Sequence, residues 1–336
     1  MIRTAILGAG RAAAAWCDAI TASGLGQVVR VLARGEGADS LAVRYGARPA
    51  RHADEIFGGP GGGGPGGDGV QAVVIASPTD THAGYLRRAR EAGLHVMVEM
   101  PVARDTAGLD GALSDAAALA AAGRAAAAFL PLRFAPEWTH LRDAAAAGRL
   151  GTIGVVRLQM LAPYRPGHGA WAADFARSGG AVLALLPHLL DFAAGAFGPI
   201  TRLNAERAPT GPGGPGGPGD LSRDHVLAIG RFESGALLHL SAGWTEAPGA
   251  PTTTAYEVAG SAGLMDYDSR RAPRLTLTPV AGEAGAAYGG NPTDATPIRR
   301  AAVDFLRAAA GAPGHVLAAP LADGVAATRH ALHLLD

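Results

Sequence analysis

A chain of 336 residues is long enough for two domains with substantial cores. Its 29 basic residues balance 29 acidic ones, which excludes the electrostatic footprint of a nucleic-acid or anionic-membrane binder. With 48% hydrophobic and 17% charged residues it is not a disordered chain. Every one of the basic residues is arginine, so no chemistry that needs a lysine amine can occur here. The single cysteine, Cys17, excludes an internal disulfide and any multi-cysteine metal site, and no metal is expected. The N-terminus runs straight into a strand without a basic-then-apolar leader. No apolar run is read as reaching the ~18–20 residues of a bilayer span. The expectation is a cytoplasmic protein with neither nucleic-acid nor membrane partners.

The first 130 residues alternate strand and helix signals, the pattern of a parallel sheet covered by helices. Ile2–Leu7 reads as a strand, 11–22 as a helix, Val28–Ala33 as a strand and 38–46 as a helix. Gly58–Gly69 is low-complexity Gly/Pro sequence, expected as a mobile surface loop that buries little. The apolar run Val70–Ala76 suits a strand buried on both faces. A helix at 80–92, a strand at Leu94–Val98, an Ala-rich helix at 106–122 and a strand at Ala125–Leu130 complete a domain spanning 1–130.

Residues 131–336 read as a second, α+β domain with an open, mostly antiparallel sheet. Gly154–Leu161 alternates, with Val156, Leu158 and Met160 on one face and Arg157 and Gln159 on the other. A long helix covers about 180–196, and Pro209–Asp220 repeats the Gly/Pro loop signal. Val226–Phe232 and Ala236–Trp244 flank a hairpin turn, as do Tyr256–Ala259 and Leu264–Tyr267. Amphipathic helices at 297–310 and 321–335 close the chain.

Gly8-Ala9-Gly10-Arg11-Ala12-Ala13 sits between the first strand and the first helix. Gly8 permits the tight turn and Gly10 the approach of a pyrophosphate to the helix N-terminus, so Gly8, Gly10, Arg11 and Ala12 are cofactor-binding candidates. An acid at the end of the second strand would favour NAD; the strand instead ends Val31-Leu32-Ala33-Arg34. Arg34 suits a 2′-phosphate, which favours NADP over NAD. His188, in the apolar stretch AVLALLPHLLDFAAG, can titrate near neutrality and so act as acid or base, or be a core histidine.

Ser77-Pro78-Thr79 with His82, the run Gly93 to Pro101 (GLHVMVEMP), Arg133-Phe134-Ala135-Pro136, Gly148-Arg149-Leu150-Gly151, Ser178-Gly179-Gly180-Ala181 leading to His188 and Asp191, and Gly260-Ser261-Ala262-Gly263 keep a recognisable order and spacing. In these motifs the chain resembles the glucose–fructose oxidoreductase/inositol dehydrogenase/rhizopine-catabolism (Gfo/Idh/MocA) family. The resemblance implies a Rossmann domain, a C-terminal domain with an open sheet, a small-molecule substrate, and homo-oligomers formed through that sheet's outer face. It adds Ser77, Pro78, Thr79, His82 and Glu99 to the cofactor-binding candidates. It also makes Met100, Tyr164, His168 and Trp171, with Arg165 beside them, candidates for substrate contact.

Members of that family typically carry Glu-Lys-Pro after the fifth strand, with an Asp and a His four residues apart on a C-domain helix. Here the lysine position is Met100 and the aspartate position Ala184, so only His188 remains as catalytic candidate. The leading expectation is an NADP-dependent oxidoreductase reducing a C=N or C=O group of a small molecule, an imine fitting the missing lysine better. The alternative is a redox-silent descendant, either a binding or scaffold protein or a non-redox cyclase or lyase. Arg133 is expected to anchor the domain junction, and Asp191 to pair with a neighbouring base or cap structure.

Overall fold

The computed structural model describes residues 1–34, 37–58, 69–163, 174–209, 224–247, 249–271, 275–280, 285–288 and 296–335. The surface-loop expectation for the two Gly/Pro segments falls almost wholly outside these residues. So do the substrate candidates Tyr164, Arg165, His168 and Trp171.

The first unit comprises Met1–Pro131 and Ala295–Arg329. Its strands are β1 (Ile2–Leu7), β2 (Gly26–Leu32), β3 (Arg48–Ala50), β4 (Ala72–Ile75), β5 (His95–Val98) and β6 (Ala126–Ala128). They form a parallel sheet of order β3-β2-β1-β4-β5-β6. β4 is an apolar run and β1, β2 and β5 are mostly apolar, and β4 and β5 are buried throughout, as a sheet covered on both faces requires. The helices between them are α1 (Arg11–Ser23), α2 (Gly37–Arg44), α3 (Asp54–Phe57), α4 (His82–Glu91) and α5 (Thr106–Ala121). The order reverses between β1 and β4, so the C-terminal ends of these two strands open a crevice.

Residues 295–329 correct the expected boundary, which gave everything after 130 to the second domain. One helix of this segment, Thr296–Ala309, buries Ala301, Ala302, Phe305 and Leu306 as a stripe and packs on α1. Ala127 bridges Pro320, and the Val102 N–H donates to Thr328 Oγ1 at 3.3 Å on the last helix, Leu321–Leu332. Amphipathic periodicity reveals that a helix has a buried face, but not which core it covers.

The second unit comprises Leu132–Asp294 and His330–Asp336. Its helix Pro136–Ala146 (α6) starts on a proline at its first turn, and a short helix, Phe175–Ser178 (α7), leads to Gly180–Phe197 (α8). The strands are β7 (Ile153–Pro163), β8 (Ile200–Pro209), β9 (Asp224–Phe232), β10 (Leu237–Glu246), β11 (Thr253–Gly260), β12 (Gly263–Asp268), β13 (Leu275–Pro279) and β14 (Gly285–Tyr288). They make a sheet of order β14-β13-β12-β11-β7-β10-β9-β8. Among the described residues β7–β10 is the parallel pair, and the other neighbours are antiparallel. Val156, Leu158 and Met160 of β7 are buried in one core with α8 and Trp138, whose ring meets Phe192 and Tyr256 edge-on at 4.8 and 5.3 Å. α8 corrects a second expectation, because its 18 residues at mean hydropathy 1.6 are long and apolar enough to cross a bilayer. Two thirds of it is buried under the sheet, so its apolar character serves the core.

Candidate cofactor and active site

The turn after β1 is built for a close backbone approach. The Gly8 N–H donates to Leu32 O at 2.7 Å, and the Ala76 N–H donates to Leu7 O at 2.9 Å, clamping the turn between β2 and β4. Gly8 has φ +129°, and a Cβ there would lie 2.3 Å from the Ala76 carbonyl oxygen. α1 then starts without a side-chain cap on Gly10 and with no acid in its first turn. Gly10, Arg11 and Ala12 are exposed. Free N–H groups and the positive end of the helix dipole therefore face outward at the crevice, the arrangement that holds a pyrophosphate. These residues fit a dinucleotide. Arg34 is exposed just past the end of β2, with no ion pair among the described residues.

The loop after β4 is pinned from both ends. Ser77 Oγ and Thr81 Oγ1 are 2.6 Å apart, and Thr81 Oγ1 donates to Pro78 O at 2.6 Å. His82 opens α4 and is buried; its Nδ1 lies 2.9 Å from Pro101 O and its Nε2 2.9 Å from Ser77 O. Burial pulls this imidazole below its ordinary pKa, and the two carbonyls pull the other way. A ring between two carbonyls ties the turn after β4 to the segment after β5, so His82 positions the loop carrying Ser77, Pro78 and Thr79, itself buried.

At the end of β5, Trp16 Nε1 donates to Glu99 Oε1 at 2.6 Å. Glu99 keeps some surface, yet protein surrounds its carboxyl closely enough that desolvation pushes its pKa up to about 7, against the Trp16 indole and Met100 amide bonds. Met100 is half-buried, and a Cβ on Gly324 would lie 3.3 Å from its sulfur, so its side chain rests against the last helix. Gly8, Gly10, Arg11, Ala12, Ser77, Pro78, Thr79, His82 and Glu99 thus share the C-terminal edge of one sheet. Trp16 was not anticipated; an indole one turn into an Ala-rich helix that follows a glycine turn was the available signal.

In the second unit His188 lies on α8, directly after Pro187. Its Nδ1 is buried and finds no hydrogen-bond partner among the described residues. Burial alone pushes its pKa down to about 4, so the ring is neutral at physiological pH. Ala184 is half-buried one turn earlier. Asp191 receives two bonds from Arg133, Nε to Oδ2 at 2.8 Å and Nη2 to Oδ1 at 2.5 Å, which makes Arg133 a structural anchor.

Residues 2–123 match the model of the oxidoreductase family with an NAD-binding Rossmann fold, and residues 138–266 match the GFO/IDH/MocA C-terminal domain. The chain belongs to the GFO/IDH/MocA family. An uncharacterised oxidoreductase of Synechocystis is 30% identical over 145 residues, 40% of this chain and 37% of its own length. The inositol 2-dehydrogenase of Rhizobium meliloti is 29% identical over 202 residues, 59% of this chain and 55% of its own length. The chain therefore spans about a third to a half of these curated relatives. The solved structure of a levoglucosan dehydrogenase in complex with NADH and levoglucosan superposes with TM-score 0.81 over 99% of this chain and 96% of its own, at 20% identity, a likeness of fold. The GFO/IDH/MocA assignment agrees with the resemblance drawn from the motifs and with both sheets.

Proposed function

We propose that this protein is a nicotinamide-dependent oxidoreductase that reduces a C=N or C=O group of a small molecule. The observation that carries the reading is the uncapped N-terminus of α1 above the Gly8 turn, where no L side chain fits against the Ala76 carbonyl. A bound nicotinamide dinucleotide supplies hydride. The chain's own residues orient it: Gly8, Gly10, Arg11 and Ala12 at the pyrophosphate, and Ser77, Pro78 and Thr79 on the loop that His82 holds. Arg34 supports NADP(H) over NAD(H), because an exposed guanidinium at the end of β2 meets a 2′-phosphate. The relatives' substrates, inositol and levoglucosan, support a polyol-like or sugar-derived substrate.

His188 and the absent lysine favour C=N over C=O. A ketone becomes an alkoxide and needs a proton donor, whereas a protonated imine already carries its proton. His188, neutral at physiological pH, is a weak proton donor, and its buried Nδ1 stands without a hydrogen-bond partner among the described residues. Met100 gives the redox-silent reading its one support, since its thioether supplies no proton where the family has an amine. Exposed Leu227, Ile229 and Leu237, on the face of the β9–β10 hairpin opposite the core, support a homo-oligomer. A cytoplasmic location fits the lone, buried Cys17.

The test is fluorescence titration of NADPH and NADH, followed by oxidation assays with cyclic imines and with matched sugar-derived ketones. Turnover with imines alone or preferentially is expected. Binding without turnover on either panel would shift the reading to the redox-silent class, and no binding would remove it.

A further inference from the structure

Glu99 is held more rigidly than a cofactor-contacting carboxylate needs to be. Its N–H donates to Ile75 O at 2.9 Å, fixing the end of β5 beside β4. Its Oε1 accepts from the indole of Trp16, a fully buried ring that meets Phe129 edge-on at 5.2 Å. A carboxylate here exchanges its hydration shell for one indole donor and one backbone amide. That deficit is met by taking up a proton or by receiving a cation. Among the described residues no charged side chain fills the second role. The ionisable groups on the neighbouring elements, Cys17 and Asp18 on α1, Asp80 and His82 after β4, contribute nothing to the titration of Glu99, and Met100 follows it in place of an amine. Cys17 itself is a neutral thiol, pushed up to about 12 by burial.

In a doubly wound sheet of this order a dinucleotide lies across the C-terminal strand ends, one half on each side of the β1/β4 reversal. The adenosine half belongs beside β2 and Arg34, so the nicotinamide half falls on the side of β4 and β5, where Glu99 ends its strand. The ring is a cation when oxidised and neutral when reduced. We propose that Glu99 is the proton-linked counter-charge of the nicotinamide, ionised beside the oxidised ring and protonated beside the reduced one. The proposal rests on the cofactor reading above. No bond is made or broken in it; a proton passes between the carboxyl and solvent as the oxidised form binds.

The experiment is calorimetric titration of the full chain with NAD⁺ and with NADH from about pH 5.5 to 8.5, in two buffers of different ionisation enthalpy. The adenosine and pyrophosphate are common to both ligands, so their titration cancels in the ratio of the two Kd values. In wild type, Kd for NAD⁺ relative to NADH should fall by about tenfold as pH rises through neutrality, with proton release on NAD⁺ binding. Glu99→Gln keeps an oxygen for the Trp16 indole and should give a flat ratio and no released proton. Trp16→Phe removes the donor that favours the ionised carboxyl and should move the midpoint to higher pH, a shift that a merely structural carboxyl would not produce. A flat ratio in wild type, or a slope that survives Glu99→Gln, overturns the proposal while leaving cofactor binding intact. Failure of NAD⁺ and NADH, and equally of NADP⁺ and NADPH, to bind wild type at every pH overturns the cofactor reading and this proposal with it. Should Glu99→Gln fold poorly, the wild-type slope and proton count decide the matter.

Discussion

The turn after β4 buries His82 and the helix α8 half-buries His188, and the two rings are treated differently. His82 sits between two carbonyl oxygens at 2.9 Å each, so whichever ring nitrogen carries the proton donates to backbone. His188 has a buried Nδ1 with no partner among the described residues, in a helix whose other buried positions are, apart from Asp191, apolar. A buried polar atom left unpaired costs about 1–3 kcal/mol, which apolar packing would have avoided. Residues that build a site are satisfied by it; a residue that acts on a ligand has to keep an atom free. His82 therefore ties two backbone segments together, while the Nδ1 of His188 has no structural partner among the described residues.

The most severe way to break the satisfied region is Gly8→Ala. The new methyl would lie 2.3 Å from the Ala76 oxygen, at φ +129°. Positive-φ strain of about 1–3 kcal/mol and overpacking of about 1–3 kcal/mol act together. We expect a loss of roughly 3 kcal/mol or more in urea unfolding and no measurable dinucleotide binding; near-normal binding would show that the turn yields. Next comes His82→Ala, which strips a carbonyl of its imidazole donor and leaves a cavity. A loss of about 2–4 kcal/mol is expected, with weaker cofactor binding, whereas a cost under about 1 kcal/mol would return His82 to the role of an ordinary core residue.

His188→Leu sharpens the contrast, because it should cost almost nothing at pH 7 and help at low pH. With its pKa pushed down to about 4, folded His188 refuses a proton that the unfolded chain accepts below about 6.5. The unfolded state then binds more protons, so this residue's effect is absent above that value and stability is lost as pH falls toward 4. His95, likewise pushed down to about 4, acts in the same window and in the same direction. The leucine variant should therefore be more stable than wild type by about 2–3 kcal/mol near pH 4, while any turnover falls by roughly 10²-fold. Parallel stability–pH curves for the two proteins would mean that His188 is not desolvated. Glu99 runs in the opposite sense. Its pKa is raised to about 7, so the folded state holds a proton the unfolded chain has released, and stability falls as pH rises from about 4.5 to 7.

The parallel sheet was legible because its central strands are mostly apolar and its turn glycines stand at fixed offsets: Ile2–Leu7 was read to the residue, and β4 and β5 within a residue or two. The second unit was harder. Its alternating strands β7, β9 and β10 showed their two faces, but β8, which carries Asn204, Glu206 and Arg207, lacks a clean apolar alternation, and β13 and β14 are too short to stand out; all three went unread. The helix α6 was missed because it looks like the tail of a motif, its Pro136 serving as a first-turn residue rather than a breaker. At the site, the motifs located Glu99 and His82, but no local signal shows that an indole 83 positions earlier meets the first, or that Pro101 O meets the second. Pairings across a sheet edge are products of tertiary folding.

The smallest expected effect concerns Arg34, and it divides the cofactor site itself into a part set by backbone and a part set by one side chain. The pyrophosphate cradle at Gly8 and Gly10 is common to NAD and NADP and cannot tell them apart. Discrimination has to come from the end of β2, where Arg34 is exposed. A guanidinium on a 2′-phosphate makes charge-assisted bonds, but exposure to solvent and salt weakens them. Wild type should therefore bind NADPH more tightly than NADH by about tenfold, with the gap shrinking as salt is raised. Arg34→Ala should close most of that gap by weakening NADPH alone, because NADH has no phosphate to lose. Titration of both cofactors at two ionic strengths checks each part. Equal affinities in wild type would sink the NADP preference and leave the backbone cradle untouched. A variant that loses both cofactors equally would show that Arg34 supports the turn instead of reading the ribose.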